Sequence, residues 1–451
     1  MRRTDIGNAD HFIDLFGDEI VYCPGMKAWY LWDGRAWKMD NHNGILSMAA
    51  EMVKGMHSKA AAMDADDKNR KPALSWANNS ADIRRLKSFI ELAQSHKSIC
   101  CSVDAFDRYP MLLNTANGAI DMETREFRGF DRSEFSTKLA DVTYVKGARS
   151  EVWEQFISDI FPDQATRTFI QAAVGYSMTA GTEQDVLFIL HGDGRNGKTT
   201  FVTTLLNIMG DYGAQASSNL LLHKSNNSAP SNEMVVLMGK RFVVASETGE
   251  SCTLDENLIK QATGGNRVSV NPKYRSQIEF TPVWKVWLDT NHEPVIKGND
   301  EAIWSRPIKV SFKVTIPLHK RNPKLRKFLT TDYNNRSGIL NWMLDGVRLY
   351  KDLGLSLPDE ITESMKAYRA SQDTIGGFLS EMCHMCHGVT VNKDELYREY
   401  STYCKSNNEY PKTKNAFGRA LNSRGISDAR TAGSRYWIGI EISRAVDLFP
   451  V

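Results

Sequence analysis

Apolar residues recur along this chain with spacings that change from region to region, and each spacing predicts a class of element. Within residues 1–45 the stretch YCPGMKAWYLWDGRAWKMD alternates aromatic and polar positions around Asp33-Gly34, which predicts a β-hairpin with an Asp-Gly turn. Residues 46–108 are mostly helical by pattern, residues 110–150 are strand-like, and residues 151–180 return to amphipathic helices. The first 180 residues therefore mix helices with short strands, without an internal repeat.

From residue 185 onward, short apolar strands alternate with helices. VLFIL, RFVVASE and WKVWLDT have the composition of buried strands, and residues 197–209 and 253–263 have helical spacing. This alternation is typical of an α/β fold with a parallel sheet. Residues 336–372 are helical again. Residues 375–445 predict three helices and then a strand pair ending in RYWIGIEI, the layout of a small winged-helix domain.

A glycine-rich loop joins the first of these strands to its helix. The sequence GDGRNGKT satisfies the pattern G-x-x-x-x-G-K-[ST], with a strand before it and a helix after it, as a phosphate-binding loop requires. Glycines let backbone N–H groups face phosphate oxygens, and the following helix adds a positive dipole. The candidate phosphate ligands are Gly192, Asp193, Gly194, Arg195, Asn196, Gly197, Lys198, Thr199 and Thr200. We expect ATP and Mg²⁺ as cofactors, with Lys198 on the β- and γ-phosphates and the Thr199 hydroxyl on Mg²⁺.

A nucleotide-hydrolysing site of this kind also needs an acidic group to orient the attacking water. Glu247 ends the strand RFVVASE and is the candidate for that role and for supporting Mg²⁺. Ser246 stands where an aspartate usually precedes this glutamate, which weakens metal coordination from the strand. Glu250 is close enough in sequence to share the role. The alternative interpretation is that Glu247 only ends a strand.

Two more polar residues follow or precede strands in positions suited to the γ-phosphate. Asn291 follows WKVWLDT and is the candidate sensor, since an amide can donate to phosphate and accept from water; Asp289 is the weaker candidate. Arg306 comes just before the strand-like segment PIKVSF, where an arginine could reach a γ-phosphate in its own subunit or in the next one.

The segment CHMCH at residues 383–387 allows three interpretations. It could continue a helical apolar face through Phe378, Met382 and Met385, bind zinc, or attach haem covalently. The four possible ligands are too crowded to close one tetrahedron easily, and haem attachment requires an export signal that we do not find. Packing is therefore the favoured reading. The seven cysteines of the chain are sparse, which is typical of a reduced cytoplasm.

Charge is nearly balanced over the chain, with 56 Lys and Arg against 54 Asp and Glu, so only local clusters bear on nucleic-acid binding. Residues 260–285 contain one acid, Glu279, and five basic residues: Lys260, Arg267, Lys273, Arg275 and Lys285. Residues 405–435 contain two acids and seven basic residues: Lys405, Lys412, Lys414, Arg419, Arg424, Arg430 and Arg435. Such clusters can bind phosphates without reading sequence. A solvated basic face or a subunit contact is the alternative for the second cluster.

Four motifs in order resemble one family. HGDGRNGKTTF, RFVVASETGE, LDENLIKQATGGNRVSVNPKYRSQIEFTPVWKVWLDTNHEPVI and DEAIWSRPIKVSF are similar to superfamily 3 helicases of the phage and plasmid primase–helicase type, which include the poxvirus primase–helicase. The resemblance covers residues 110–445 and implies an AAA+-like P-loop core. It further implies a hexameric ring that binds ATP between subunits and moves on single-stranded DNA, with an expected 3′ to 5′ polarity.

The resemblance also implies residue roles. It assigns Lys198 and Thr199 to the Walker A motif, Glu247 to Walker B, Asn291 to the sensor and Arg306 to the arginine finger. It places the segment from Thr263 to Tyr274 in a hairpin that contacts DNA in the central pore, with Lys273 as the main contact beside Arg267 and Tyr274. Many relatives carry two adjacent arginines where this chain has Ser305-Arg306, so Arg306 is the single obvious finger.

The implied organisation has five parts. They are an accessory region at 1–109, a collar at 110–180, the ATPase and helicase core at 181–335, a helical linker or lid at 336–374, and a winged helix at 375–451. Lys412, Lys414 and Arg419 would face duplex DNA from the recognition helix and from the residues just before it. We find no primase catalytic domain, so a partner primase would be a separate chain.

Three functions fit these features. The first is an ATP-dependent replicative helicase of a phage, plasmid or mobile element, acting in the cytoplasm of a host. The second is an origin-binding initiator whose ATPase controls assembly on DNA with little unwinding. The third keeps the ATPase but makes it an RNA or packaging motor. No signal peptide and no run of 18 apolar residues occur, so we expect no membrane span.

Overall fold

The computed structural model of the protein describes residues 2–217, 220–222, 231–246, 252–270, 277–298, 300–407, 409–430 and 433–443. Its α-helices in chain order are α1 Asp5–Phe16, α2 Gly44–Ala61, α3 Arg70–Ser80, α4 Ile83–Ala93, α5 Glu151–Ile160, α6 Gln164–Met178, α7 Lys198–Met209, α8 Ser231–Val236, α9 Glu256–Thr263, α10 Glu301–Trp304, α11 Leu325–Thr331, α12 Tyr333–Leu353, α13 Asp359–Ser371, α14 Thr374–Met382, α15 Lys393–Ser406 and α16 Lys414–Ser423. Its strands are β1 Ile20–Cys23, β2 Ala28–Trp32, β3 Trp37–Met39, β4 Leu112–Thr115, β5 Gly118–Asp121, β6 Phe127–Arg128, β7 Leu187–His191, β8 Gly213–Ser217, β9 Phe242–Ser246, β10 Val268–Val270, β11 Ile278–Phe280, β12 Lys285–Thr290, β13 Pro307–Ser311, β14 Cys383–Asn392, β15 Asp428–Arg430 and β16 Arg435–Ile442.

The predicted N-terminal hairpin is confirmed as the β2–β3 pair of an antiparallel sheet ordered β1-β2-β3. Asp33 stabilises its turn by accepting hydrogen bonds from the backbone N–H groups of Arg35 at 2.8 Å and Ala36 at 2.7 Å, while Gly34 adopts φ 89°. The helix α1 before this sheet was not predicted. It begins after Thr4, whose hydroxyl accepts from the Gly7 N–H at 3.1 Å.

A five-stranded sheet organises the centre of the molecule, in the order β13-β7-β12-β9-β8. All four strand pairs are parallel, so the predicted parallel α/β sheet is confirmed. Alternate side chains of its strands enter two separate apolar clusters. Phe188, Leu190 and Trp287 pack on one face with α5, α6, α7 and α12, whereas Leu187 and Ile189 pack on the other face with β1, β2, α9 and the β10–β11 hairpin. Burial on both faces explains why these strands read as continuous apolar runs.

One strand of this sheet, β8, was not predicted. Its sequence GAQAS lacks β-branched and aromatic residues, so propensity alone gives no signal for it. It lies at the edge of the sheet and pairs in parallel with β9 from Gly213↔Phe242 to Ser217↔Ser246.

Helices α6 and α12 cross at two glycines. A Cβ added to Gly175 would lie 2.0 Å from the carbonyl carbon of Gly346, and a Cβ added to Gly346 would lie 2.1 Å from the Gln171 oxygen. The backbones can approach this closely only because both positions lack a side chain. The contact fixes α12 against the helices that precede the central sheet.

The C-terminal part runs helix, strand, helix, helix, strand, strand as α14, β14, α15, α16, β15 and β16, with sheet order β14-β16-β15. It has its own apolar core, in which Phe417 stacks on Tyr400 with ring centroids 4.4 Å apart. The prediction of three successive helices was therefore wrong at one element. Residues 383–392 pair with β16 as a strand, with Cys383 opposite Ile442 and Met385 opposite Ile440.

The strand places Cys383 inward and buried, while His384, Met385 and His387 are exposed. The predicted helical packing through Met385 is therefore wrong, although Phe378 and Cys383 do enter the core. Over the described ranges, no cluster of three or more His, Cys, Asp or Glu side chains is arranged to hold a metal ion. In the same ranges no helix has the length and apolar character needed to cross a membrane.

Candidate active site

The glycine loop lies at the carboxyl end of β7, between His191 and the first residue of α7. Gly192, Gly194 and Gly197 have φ values of 154°, 65° and 93°, and Arg195 also has a positive φ of 56°. A Cβ on Gly192 would lie 2.6 Å from the Phe312 carbonyl oxygen, so this position requires glycine. The loop has the left-handed turns that direct backbone N–H groups toward an anion.

Asn196 holds this loop in place. Its side chain is 3% exposed; the amide nitrogen donates to the Phe312 carbonyl at 3.4 Å, and the amide oxygen accepts from the Lys198 N–H at 3.4 Å. The first bond ties the loop to the end of β13, and the second links Asn196 to the start of α7. The side chain of Asn196 therefore acts as a brace within the loop, while its neighbours Asp193, Gly194 and Arg195 are exposed.

Lys198 is the buried cation of the site, with 4% of the residue exposed. Its ammonium donates to the carbonyl of Gly192 and, at 2.9 Å, to Oδ1 of Asn291. Burial lowers the pKa of Lys198, and the Asp289 carboxylate opposes that shift. Both hydrogen-bond acceptors are neutral, so this ammonium has no negatively charged hydrogen-bond partner. A bound phosphate group would supply one. The structure thus brings the predicted lysine and the predicted sensor into direct contact.

Of the three acidic residues predicted for the site, Asp289 lies within the described residues. Asp289, the weaker sensor candidate, lies on β12 in register with Ser246 of β9 and Leu190 of β7. Burial raises the pKa of Asp289, and Lys198 opposes the shift. Glu247 and Glu250 lie outside the described residues, so their predicted roles stay predictions.

Two threonines follow Lys198 in the first turn of α7. Thr199 is exposed and Thr200 is half-buried in the first turn of α7. The exposed Thr199 hydroxyl at a helix N-terminus beside Lys198 is a chemically suitable oxygen ligand for Mg²⁺. The residues present fit a nucleotide phosphate and its metal ion.

A cleft of about 450 Å³ opens beside the loop, between the end of β13 and helix α13. Within it Lys309 pairs with Glu293 at 2.5 Å, and the ammonium also lies 5.2 Å from the centre of the Tyr368 ring. This ion pair was not predicted from the sequence. The available signal was Lys309 itself, a lone lysine within the apolar strand PIKVS.

Arg306 lies at the opposite edge of the sheet from Lys198. Its carbonyl accepts from the N–H of Leu187, the first residue of β7, whereas the glycine loop follows the last residue of that strand. Its guanidinium bonds to the Asp185 carboxylate at 2.8 Å and to the Thr263 hydroxyl at 2.7 Å, leaving the side chain 14% exposed. The structure therefore does not bring Arg306 to the nucleotide loop of its own chain.

The predicted DNA hairpin has its base in β10 and β11, which pair antiparallel from Val268↔Phe280 to Val270↔Ile278. Lys273, Tyr274 and Arg275 fall outside the described residues. Arg267 is exposed and forms an ion pair with Asp104 at 3.3 Å. Lys260 pairs with Asp300 at 3.6 Å.

Lys285 was wrongly counted among the phosphate-binding residues of this hairpin. It is the first residue of β12 and 3% exposed, and its ammonium donates to the carbonyls of Thr179 at 2.6 Å and Val283 at 3.2 Å. Burial moves the pKa of Lys285 well below its usual value. A buried side chain bound to backbone carbonyls cannot reach a DNA phosphate.

The C-terminal basic residues have different surroundings. Lys412 is half-buried, and burial lowers its pKa while the carboxylate of Asp373 opposes the shift. Lys414, at the start of α16, pairs with Asp394. Arg419 is exposed on α16, and we find no ion pair for it among the residues described. Of the three predicted contacts, Arg419 is the most accessible to DNA.

The remaining basic residues of this segment are also distributed unevenly. Arg424 turns inward and pairs with Asp373 at 2.5 Å. Arg430 and Arg435 are exposed and face each other across the β15–β16 pair. The predicted wing between Thr431 and Tyr436 begins at residues that lie outside the described ranges.

Comparison with known families gives two matches. Residues 9–162 match the family described as D5 N terminal like, and residues 190–306 match DUF5906, a family of unknown function. The first covers the region ahead of the central sheet, and the second runs from the end of β7 to Arg306.

The curated relatives are viral proteins. One from Acanthamoeba polyphaga mimivirus, named as a putative helicase, is 25% identical over 324 residues, covering 67% of this chain and 34% of the relative. Another from African swine fever virus, named as a putative primase, is 21% identical over 330 residues, covering 68% of this chain and 34% of the relative. The chain thus spans about a third of the length of the curated relatives it matches.

Among solved structures, the apo C-terminal region of NrS-1 aligns with a TM-score of 0.55 and 11% identity, over 98% of this chain and 100% of that chain. A second structure of the same region, its A form, aligns with a TM-score of 0.56 at 10% identity. This likeness shows a shared fold along nearly the whole chain. The two family matches and the viral relatives make this chain similar to primase–helicase-like proteins of viruses.

Proposed function

We propose that this chain is an ATP-dependent DNA helicase that works in the replication of a phage, plasmid or related mobile element. The observation that carries the proposal is the hydrogen bond from the Lys198 ammonium to Asn291, at the carboxyl edge of a parallel sheet and above a glycine loop. The pairing joins the residue that would bind the β- and γ-phosphates to the residue that would sense the γ-phosphate. Removal of the γ-phosphate would then change the contacts of Asn291 directly after the end of β12.

The proposed assembly is a hexameric ring with ATP bound between neighbouring chains. Its support is the position of Arg306, which sits at the amino edge of the sheet while Lys198 sits at the carboxyl edge. An arginine in that place can stabilise transferring phosphate only in a neighbouring chain. The link to Asp185 and Thr263 would hold the guanidinium at the surface where a neighbour docks.

The proposed substrate is single-stranded DNA held in the centre of the ring, with translocation 3′ to 5′. The support for a DNA contact is the β10–β11 hairpin, which is joined to α9 and to the start of β12 by short connections. The polarity is what the family resemblance implies. Arg267 at the base of the hairpin is exposed and could bind a phosphate once it leaves Asp104. Lys273 and Tyr274, which lie between β10 and β11 in the sequence, remain the proposed DNA contacts.

The test compares wild type with Lys198→Ala and Asn291→Ala in ATP hydrolysis and in displacement of a labelled strand. Lys198→Ala should abolish both activities. Asn291→Ala should lower kcat on the order of 100-fold, as the loss of one polar contact to a transition state does, with a smaller change in nucleotide affinity. A wild-type ring that hydrolyses ATP but displaces no strand would refute the helicase proposal.

A matched control is Lys313→Ala. Lys313 also lines the cleft beside the loop, but its side chain is 61% exposed and pairs with Glu360 at 2.7 Å on the surface. Because exposed ion pairs contribute little, this variant should retain nearly normal hydrolysis. A loss equal to that of Asn291→Ala would mean that charge around the cleft, rather than the Lys198–Asn291 contact, controls the activity.

A second candidate is an origin-binding initiator, favoured by the C-terminal part. Its helix–strand–helix–helix–strand–strand order and its separate apolar core suit a winged helix with α16 as the recognition helix. Binding of the full chain to its element's origin and to random duplex, compared at one stated salt concentration, separates the two functions. A strong preference for the origin with little strand displacement would favour the initiator.

A further inference from the structure

A second basic surface lies on the side of the central sheet away from the hairpin. It is a cleft of about 790 Å³ bounded by the 144–149 loop, helices α5 and α6, and helix α12. Its walls carry two carboxylates, Glu154 and Asp345, and five cationic residues: Arg125, Lys146, Arg149, Arg167 and Arg348. The difference of +3 exceeds the formal charge of +2 of the whole chain. The lining of this cleft therefore has a local excess of positive charge.

Three of the five cations already have partners. Arg149 binds Glu154 at 2.7 Å, Arg125 binds Asp345 at 2.9 Å, and Arg167 donates to backbone carbonyls of the α5–α6 turn. Lys146 and Arg348 are exposed, and in the described part of the chain neither forms an ion pair or a side-chain hydrogen bond. These two cations are thus free to bind phosphate.

Part of the cleft lining is aromatic and apolar. It includes Trp342, Tyr144 and Ile157, and Trp342 is half-buried with its ring edge-on to Trp153 at a centroid distance of 5.4 Å. Aromatic rings beside phosphate-binding cations are the features that hold single strands, because only unstacked bases can reach and stack on a ring. A duplex exposes phosphates but keeps its bases stacked, so it cannot use Trp342.

The position of the cleft indicates which strand it would take. The hairpin packs with Leu187 and Ile189 on one face of the sheet, whereas Tyr144, Ile157 and Trp342 belong to or pack on the cluster of the opposite face. A strand held by the hairpin is therefore separated from the cleft by the sheet. We propose that the cleft binds the displaced single strand of DNA outside the ring, through phosphates on Lys146 and Arg348 and a base on Trp342. This inference rests on the proposed helicase function.

The test uses the full chain with Lys146→Ala/Arg348→Ala. The matched control, Lys68→Ala/Lys71→Ala, also removes two exposed cations, in the α2–α3 segment, which contributes no residue to the cleft lining. On forked DNA the cleft variant should show a salt dependence shallower by about 1.4 in log K against log salt, since each lost phosphate contact on a single strand removes about 0.7. Its unwinding of a fork should fall to the rate it shows on a substrate with only the loaded tail. The control should match wild type in both assays.

A photocrosslinking experiment identifies the strand. Forks carrying 4-thiothymidine in either tail are bound and irradiated, and crosslinks from the displaced 5′ tail should map to the 144–149 loop or to α12. Absence of unwinding by wild type would refute the proposed function itself. Normal unwinding with 5′-tail crosslinks elsewhere, or with an unchanged salt slope, would refute the cleft alone. A change in oligomeric state of the cleft variant, measured by light scattering, would instead make the cleft a contact between chains and would also overturn the inference.

Discussion

Mixing two inactive variants, Lys198→Ala and Arg306→Ala, tests whether each nucleotide site is built from two chains. The carbonyl of Arg306 bonds to Leu187, and His191 lies four residues further along the strand, about 13 Å at about 3.3 Å per residue. The glycine loop lies beyond His191. An arginine side chain spans about 7 Å from Cα to its guanidinium nitrogens. Within one chain the two groups therefore cannot meet without breaking the sheet.

The expected loss in each variant is large. An arginine finger accelerates phosphoryl transfer by about 10³ to 10⁵, or about 4 to 7 kcal/mol of transition-state stabilisation. Arg306→Ala alone should therefore hydrolyse ATP at less than about a thousandth of the wild-type rate. Lys198→Ala should be equally inactive, because Lys198 is the buried cation of the site, whereas Arg195, the other cation of the loop, is exposed.

Mixing should restore activity if the site is shared. An active interface needs an intact Lys198 from an Arg306→Ala chain and an intact Arg306 from a Lys198→Ala chain, in that order around the ring. With equal amounts arranged at random, about a quarter of the interfaces meet this condition, whatever the number of chains in a closed ring. We therefore expect about a quarter of the wild-type hydrolysis rate if the interfaces act independently.

Steady-state phosphate release is the assay, and energy transfer between labelled chains verifies that subunits exchange. A mixture of Lys198→Ala with Lys198→Met is the control and should remain inactive. If the exchanged mixture of the two different variants is no more active than either alone, Arg306 does not complete a neighbour's site.

Two further predictions concern stability. Gly175→Ala should lower the free energy of unfolding in urea by at least about 1 to 3 kcal/mol, because its Cβ would lie 2.0 Å from Gly346. Gly55→Ala, on helix α2 with no atom within 4 Å of the added Cβ, should raise it by about 0.5 to 1 kcal/mol. Equal shifts in the two variants would contradict the close-packed crossing of α6 and α12. The pKa of Lys285 is depressed in the folded state. Between that pKa and the unfolded value of about 10.4, the unfolded chain therefore carries one more proton than the folded chain. The contribution of Lys285 to stability consequently grows as pH rises through this range. Unfolding free energies of wild type minus Lys285→Met should therefore increase from pH about 7 to about 10, and a constant difference would show that Lys285 stays charged when buried.

The glycine loop could be predicted because its determinants are local. Three glycines within six residues, a strand before them and Lys198 after them define the left-handed turns, and no distant residue is needed to recognise them. Asn291 could be predicted for a similar reason, since it follows an apolar strand and parallel strands end at the same edge of a sheet. The contact between Lys198 and Asn291 agrees with that reasoning.

The wrong predictions concern residues whose conformation or orientation is set by distant parts of the chain. The segment CHMCH fits a helical or an extended pattern over so short a run, and pairing with β16, more than 50 residues later, makes it a strand. Lys285 was counted as a DNA contact because charge was summed along the sequence. That sum carries no information on orientation, and in the fold the ammonium points to the buried carbonyls of Thr179 and Val283.

The contacts of Arg306 could not be predicted either, and they bear on how hydrolysis could move DNA. Thr263, which accepts its hydrogen bond at 2.7 Å, is the last residue of α9 and precedes the hairpin by a few residues. If Arg306 completes a neighbour's site, one side chain contacts both the neighbour's γ-phosphate and the base of its own hairpin. Loss of that phosphate would then change the position of Arg306, and through Thr263 the start of the hairpin. In this scheme each hydrolysis event moves the hairpin of the adjacent chain, which orders the subunits around the ring.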